Sequence, residues 1–194
     1  MTSVRNVAAG VRSMTSNAFL VEGDRTVLVD AGQGFDAVGR IEEAGGELDA
    51  VVLTHTHPDH IGNVEPVVEA FDVDVRGFDA DHALVDRPLG DGDTVRLGDD
   101  DFEALHTPGH KDDHLCLYAG DPGVLFAGDL VFANGGFGRT DLAEGDRATL
   151  VDSIERLLAT VDDSLSAMYV GHGPAVETDP GRHIGAALQA ARFG

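Results

Sequence analysis

The sequence is poor in cysteine and in long apolar runs. Cys116 is the only cysteine among 194 residues, so no intrachain disulfide can form, and its apolar surroundings, HLCLY, are typical of a buried strand. No stretch reaches the roughly 18 apolar residues that a membrane span needs, and the N-terminus has no basic segment followed by an apolar one. These absences predict a soluble, cytoplasmic protein that has no membrane partner.

Basic residues are also scarce. The chain has 13 basic against 35 acidic residues, a net charge of -22, and Lys111 is its only lysine. A surface this negative disfavours nucleic acid phosphates and anionic membranes as partners. The acidic residues are spread along the chain and form no single tail, which indicates a surface adapted to high salt. We therefore hypothesise that the protein is halophilic.

Apolar periodicity and turn residues predict alternating strands and helices. The predicted strands are Ala18–Glu22, Thr26–Asp30, Ala50–Thr54, Val73–Arg76, Thr94–Leu97, Phe102–His106, His114–Tyr118, Val124–Ala127 and Ala167–Val170. The predicted helices are Phe35–Ala44, Gly62–Phe71, Asp146–Thr160 and Gly181–Arg192. No linker or low-complexity run separates these segments, so we expect one domain over residues 1–194. The pattern indicates a layered α/β domain with mixed sheets and helices on the outer faces.

Residues capable of catalysis or metal binding follow the apolar strands. Asp30, His55, His110, Asp129 and His172 each come at or just after the end of a predicted strand. Ligand sites collect at strand ends because a rigid sheet can direct several loops to one point. We therefore expect these side chains to form one site.

The densest group is the stretch THTHPDHIG, which follows the apolar run AVVL. If the strand continues, His55 and His57 point the same way, because side chains two apart share a face. Pro58 ends the ladder and redirects Asp59 and His60, which suits a second ion beside the first.

Together the sequence offers seven nitrogen or carboxylate donors, namely His55, His57, Asp59, His60, His110, Asp129 and His172. A closed structural zinc site needs four ligands and is usually rich in cysteine. Seven donors without cysteine therefore predict two adjacent ions that share a carboxylate. We interpret His82, His106 and His183 as ordinary core or surface histidines, and leave His114 open.

The motif His55-Thr-His57-Pro-Asp59-His60 resembles the H-x-H-x-D-H signature of the metallo-β-lactamase superfamily. The later motifs of that family follow in order, as VDAG at Asp30, TPGH at His110, AGD at Asp129 and GHG at His172. The resemblance implies that one ion is held by three histidines (His55, His57 and His110) and the other by Asp59, His60 and His172. Asp129 would bridge the two ions, and Asp30 would orient a ligand histidine.

The family resemblance also implies a fold and a reaction. The fold is an α/β, four-layer αββα sandwich of two mixed sheets flanked by helices. The cofactors would be two Zn²⁺ ions, and the reaction hydrolysis of an ester-like bond in a small molecule by an activated water, with Asp59 and Asp129 as catalytic carboxylates. The motif G-x-S-x-G is missing, which argues against a serine nucleophile.

The segment from Gly128 to Asp146 resembles the corresponding loop of the glyoxalase II (hydroxyacylglutathione hydrolase) and persulfide dioxygenase branches. This resemblance favours a thioester substrate. Arg139 in this loop is a candidate for binding a substrate carboxylate, although it could instead pair with Asp141.

Two other functions stay open. A persulfide dioxygenase would hold one Fe²⁺ through His55, His110 and Asp129. A nuclease or phosphodiesterase of the tRNA-processing type shares the H-x-H-x-D-H motif, but the net charge opposes it. The sequence leaves the oligomeric state undetermined.

Overall fold

The computed structural model describes residues 2–193. Contacts between residues divide the chain into two compact units. The first contains the residues up to Leu89 together with Val95–Asp101, and the second contains Gly90–Thr94 together with the residues from Phe102 onward. Within residues 2–193, no helix combines the length and apolar character that crossing a membrane requires.

The first unit is built on a six-stranded mixed sheet in the order β1-β2-β3-β4-β5-β6. Its strands are β1 (Ser3–Asn6), β2 (Phe19–Glu22), β3 (Val27–Val29), β4 (Ala50–Val52), β5 (Asp74–Gly77) and β6 (Arg87–Pro88). The first three strands pair antiparallel, whereas β3 to β6 pair parallel. The parallel strands therefore end at the same edge of the sheet, where loops can converge.

Three helices belong to this unit, and two of them cover one sheet face. They are α1 (Ala37–Ala44), α2 (Pro58–Ile61) and α3 (Val64–Phe71). Val51 and Val75 of the sheet share a buried cluster with Ile41 of α1 and Val67 of α3. Burial of such side chains stabilises the sheet by about 1.5–3 kcal/mol each.

The second sheet has five strands in the order β11-β10-β9-β8-β7. They are β7 (Thr94–Leu97), β8 (Asp100–His106), β9 (Leu115–Ala119), β10 (Val124–Gly128) and β11 (Ala167–Val170). Strand β10 pairs antiparallel with β9 and parallel with β11, so this sheet is also mixed. The carboxyl ends of β10 and β11 consequently lie side by side.

Two long helices accompany the second unit, α4 (Arg147–Thr160) and α5 (Pro180–Phe193), along with a 3-10 turn at Ala133–Gly135. The α4 helix begins at Asp146, whose carboxylate accepts the Thr149 N–H at 2.7 Å. Its apolar stripe is fully buried at Leu150, Ile154 and Leu157, as the helical spacing predicts. These side chains join the buried cluster of the second unit.

The predicted α/β class, with two mixed sheets and flanking helices, is confirmed. All nine predicted strands and four predicted helices are present, while β1, β6, α2 and the 3-10 turn are additions. These additions span four residues or fewer, too short for periodicity to detect. The division into a single domain stays a prediction.

One strand boundary differs in a way that matters for function. Strand β4 ends at Val52, two residues before the predicted end at Thr54. The Thr54 N–H leaves the ladder because it donates to the Asp30 carboxylate at 2.8 Å. His55 and His57 therefore lie in a loop, and the expectation that an extended strand aligns them is wrong.

Candidate metal centre

Asp30 organises the histidines of the first unit. It follows β3 with a left-handed backbone (φ 56°) and is almost completely buried, at 3% exposure. Its Oδ2 lies 2.8 Å from His60 Nδ1 and accepts the Thr54 hydroxyl at 2.7 Å. A carboxylate only accepts, so we assign the His60 proton to Nδ1, which leaves Nε2 as the donor atom for a cation.

The same carboxylate acts on His55 through Thr54. The Thr54 hydroxyl donates to Asp30, so its oxygen is an acceptor for His55 Nδ1 at 3.1 Å. This assignment puts the lone pair of His55 on Nε2, and that atom lies 3.0 Å from His57 Nδ1. Two ring nitrogens that converge in this way suit a shared cation.

Pro58 starts helix α2, with His57 as the N-cap. Strand β4 has already ended at Val52, so the expectation that Pro58 ends the ladder is wrong, whereas Pro58 does redirect the chain into the helix that carries Asp59 and His60. The ligand atoms of Asp59 and His60 lie within 4.8 Å of one another, as do those of His55 and His60. The four motif residues therefore form one cluster in the first unit.

The second unit holds a separate donor cluster around Asp129. This residue follows β10, is 6% exposed, and presents Oδ2 to His110 Nε2 at 3.5 Å and to His172 Nε2 at 3.4 Å. His110 Nδ1 lies 2.8 Å from the Arg139 carbonyl, an acceptor that fixes the ring proton on Nδ1. Two imidazole nitrogens are thus aimed at one carboxylate oxygen.

His114, which sequence reasoning left open, positions Asp129. Its ring is fully buried, and its Nε2 accepts the Asp129 backbone N–H at 3.0 Å. The other ring nitrogen, Nδ1, lies 2.9 Å from the Thr107 hydroxyl and carries the proton in this assignment. His114 therefore holds the main chain from which the Asp129 carboxylate projects.

Two glycines allow the second cluster to close. A Cβ on Gly138 would lie 2.0 Å from the Asp129 carbonyl oxygen and 2.9 Å from His110 Cγ. Gly109, which precedes His110, has φ +126°, and a Cβ there would lie 2.2 Å from the Leu150 backbone nitrogen. Only glycine fits at these two positions without a shift of the main chain.

The donors suit a divalent transition metal. They are imidazoles and carboxylates without cysteine, and the hydrogen bonds described above leave His55, His60 and His110 with neutral Nε2 lone pairs. Neutral imidazole and carboxylate are the ligand types that zinc and iron accept in proteins. The residues present therefore fit such an ion.

Comparison with known proteins agrees with this donor chemistry. The model of the metallo-beta-lactamase superfamily matches residues 12–172. The chain belongs to the metallo-β-lactamase superfamily.

Individual relatives add detail to the family assignment. Hydroxyacylglutathione hydrolase from Chromohalobacter salexigens is 38% identical over 151 residues, which cover 77% of this chain and 57% of that protein. Among solved structures, the BLEG-1 B3 metallo-beta-lactamase has a TM-score of 0.77 at 25% identity, covering 100% of this chain and 99% of its own. TTHA1623, solved in a di-iron-bound form, has a TM-score of 0.72 at 31% identity, covering 90% of this chain and 92% of its own. The chain spans a little over half the length of its curated relatives.

In the present member of the metallo-β-lactamase superfamily, the Arg139 side chain pairs with Asp141. The guanidinium donates to both carboxylate oxygens, at 2.7 and 2.8 Å. The hydrogen bond from Arg139 lowers the pKa of Asp141 to about 2, so the pair stays charged at neutral pH. Substrate binding by Arg139 stays a prediction, whereas its carbonyl has a role toward His110 that the sequence did not reveal.

Lys111 stabilises the loop that carries His110 through ion pairs. Its amine contacts Asp112 and Asp113 at 3.4 Å and forms a short ion pair with Glu144, and its side chain is only 11% exposed. Burial alone would lower the pKa of Lys111, but the hydrogen bond to Glu144 and the charge of Asp113 raise it. The amine therefore stays cationic and fixes the loop electrostatically.

The histidines interpreted as ordinary have local partners. His82 Nδ1 accepts the Leu84 N–H, His183 Nδ1 accepts the Asn134 N–H, and His106 Nε2 lies 2.7 Å from the Asp112 carbonyl. This agrees with their interpretation as ordinary histidines.

His114→Ala should weaken metal binding by about 10- to 100-fold, the usual effect of removing a residue that orients a ligand. Competition with a chromophoric chelator measures the affinity directly. His114→Gln places an acceptor near the position of Nε2 and should restore part of the loss. Equal affinities for the wild-type protein and His114→Ala would contradict the positioning role.

Cys116 should be inert in the native state. The residue is fully buried in β9, as expected, and burial raises the pKa of its thiol to about 12. The reactive thiolate is therefore nearly absent at pH 8. Iodoacetamide should leave the folded protein unmodified and alkylate it only in denaturant, as measured by mass spectrometry; rapid native labelling would show the burial to be wrong.

Proposed function

We propose that this protein is a metal-dependent hydrolase with a dinuclear zinc site. The observation that carries the proposal is the position of the Asp129 carboxylate, whose Oδ2 lies within 3.5 Å of the Nε2 atoms of both His110 and His172. A carboxylate that bridges two ions must be reached by ligands of both. Membership of the metallo-β-lactamase superfamily supports the same assignment.

In the proposed site, His55, His57 and His110 would hold one ion. Asp59, His60 and His172 would hold the other, and Asp129 would be shared by both. Within each unit these donors are already grouped, as the motif histidines and Asp59 in the first unit and as His110, Asp129 and His172 in the second.

When bound, two such ions would supply a water that is deprotonated near neutral pH and would polarise the bond to be hydrolysed. The chain's own residues prepare this chemistry. Asp30 fixes the ring protons of His55, through Thr54, and of His60, so that their Nε2 atoms face the cations. Asp59 would be the carboxylate that accepts the proton of the incoming water, and Asp129 would keep the two ions in position for the reaction.

The substrate class we propose is a thioester or related ester-like small molecule. Similarity to proteins named hydroxyacylglutathione hydrolase supports this class, although the match covers 57% and 56% of the lengths of two such relatives. Arg139 is the proposed contact for a substrate carboxylate, and it would have to leave Asp141 to make that contact. The protein would act on its substrate in a cytoplasmic setting.

Elemental analysis of the purified protein, combined with a substrate panel, tests the proposal. The panel contains a hydroxyacyl thioester, a lactone, bis-(p-nitrophenyl) phosphate and a persulfide. We expect two zinc ions per chain and fastest turnover of the thioester. A single iron with oxygen uptake on the persulfide would instead identify a dioxygenase, and preference for the phosphodiester a nuclease-type enzyme.

Iron is the second candidate metal because the relative TTHA1623 was solved in a di-iron-bound form at 31% identity. Imidazole and carboxylate ligands do not distinguish zinc from iron. Reconstitution of the metal-depleted protein with each ion, followed by thioester assays, separates the two. If only the iron-loaded protein hydrolyses the thioester, iron takes the place of zinc in the proposal, and the hydrolase function stands.

We also propose that the acidic surface is adapted to high salt. At a net charge of -22, repulsion between carboxylates destabilises the compact state when few counterions screen it. Dialysis into salt-free buffer should therefore unfold the protein or lower its melting temperature strongly, as followed by circular dichroism. A melting temperature that does not change with potassium chloride concentration would contradict this adaptation.

A further inference from the structure

Three arginines meet in one cavity of the first unit. The cavity has a volume of about 230 Å³ and is lined by Arg25, Asp49, Ala50, Asp74, Arg76 and Arg87. The chain has only 13 basic residues, and three of them lie here. A concentration of positive charge in so acidic a protein requires an explanation.

Arg76 is the central observation. It lies in the middle of β5 and is partly buried, and its Nε atom is buried without a hydrogen-bond partner among residues 2–193. A guanidinium cannot discharge itself by losing a proton. A buried donor that lacks a partner destabilises the fold, so a ligand that accepts from it would bind more tightly.

Within residues 2–193, neither carboxylate of the cavity accepts a hydrogen bond from Arg76 Nε. Asp74 Oδ2 accepts from Arg87 Nε at 2.5 Å, and Asp49 Oδ2 accepts the Thr26 N–H at 2.8 Å. The Arg25 guanidinium donates to the Asp49 carbonyl at 3.5 Å. Three guanidinium groups against two carboxylates leave the cavity with one excess positive charge.

The cavity is distinct from the histidine cluster of its own unit. Ala50 and Asp74 are the first residues of β4 and β5, whereas His55 follows the end of β4. Ala50 therefore lies at the amino end of β4, and His55 lies in the loop beyond the carboxyl end of that strand. Arg76 also alternates with Val75, which packs against the helices, so its side chain lies on the opposite sheet face.

We propose that these arginines form a binding site for a small oxyanion of the size of sulfate or phosphate. The volume of about 230 Å³ is below the roughly 300–1,000 Å³ typical of sites for larger organic ligands, and it leaves room for an ion with a few waters. Arginine presents parallel N–H donors that match the oxygens of such anions. A bound anion would accept a hydrogen bond from Arg76 Nε. It would also stabilise the packing of β4, β5 and β6 against one another.

Isothermal titration calorimetry of the purified, metal-containing protein with sodium sulfate tests the site. Arg76→Gln and Arg87→Gln should each weaken sulfate binding by at least about tenfold, because each removes a charge-assisted contact. Arg12→Gln removes the same charge from an exposed position of the first unit and should stay within about twofold of the wild-type affinity. Metal content and hydrolysis should be unchanged in all three variants.

The possible outcomes separate the alternatives. Equal affinities in wild-type protein, Arg76→Gln and Arg87→Gln would place the sulfate elsewhere, for example at the metal donors, and overturn the proposal. The same applies if wild-type protein binds no sulfate at millimolar concentrations, because water alone would then satisfy Arg76. If Arg76→Gln fails to fold, Arg87→Gln decides the matter, since the Arg87 side chain is 65% exposed.

Discussion

Asp129→Asn should lower thioester turnover by at least about a thousand-fold and reduce the metal content of the protein. The substitution preserves the shape of the side chain but removes the negative charge that both His110 and His172 approach. An amide is a poor bridge between cations, and without bound metal the pKa of the attacking water would rise far above neutrality. Measurement of kcat/KM together with elemental analysis tests both effects.

Asp152→Asn is the matched control for this variant. Asp152 is an exposed carboxylate of α4, so its neutralisation changes the net charge equally without touching the donors. It should retain wild-type metal content and activity. Full activity and metal content in Asp129→Asn would show that the bridging assignment is wrong.

Gly138→Ala should destabilise the protein by about 3 kcal/mol, at the upper end of the cost of overpacking, and impair metal binding as well. The added Cβ would lie 2.0 Å from the Asp129 carbonyl oxygen and 3.0 Å from His110 Cβ. Since the first of these atoms belongs to the backbone, a side-chain rotation cannot relieve the clash. Urea unfolding at constant high salt gives the change in the free energy of unfolding.

Gly185→Ala provides the comparison for Gly138→Ala. Gly185 lies within α5, and a Cβ there meets no atom within 4 Å outside the helix. Alanine favours a helix interior over glycine by about 1 kcal/mol, so this variant should be neutral or slightly more stable. A Gly138→Ala protein as stable as Gly185→Ala would refute the close approach of residue 138 to Asp129.

The sequence predicts well those features that depend on local pattern. The apolar runs locate β4 and β10, and the clustering of His55, His57, Asp59 and His60 identifies donors without any structure. Strand β4 ends early because Thr54 bonds to Asp30, a residue 24 positions away. Periodicity carries no information about such a non-local partner.

The same reason explains what sequence reasoning missed in the donor clusters. His114 is significant only because its ring meets the Asp129 N–H, 15 residues further on. The Arg139 carbonyl that fixes His110 is a main-chain group, which no residue type reveals. The arginine cavity likewise joins residues from Arg25 to Arg87, and their proximity follows from the parallel pairing of β4, β5 and β6.

The ion-paired amine of Lys111 has a practical consequence. It is the only lysine of the chain, and it follows His110 directly. An acylating or cross-linking reagent that targets lysine side chains can therefore react at only one side chain. This side chain lies beside a proposed metal ligand and is ion-paired with Glu144. Immobilisation or labelling through lysine would act on the part of the molecule that should be left undisturbed, so carboxylate-directed coupling suits this protein better.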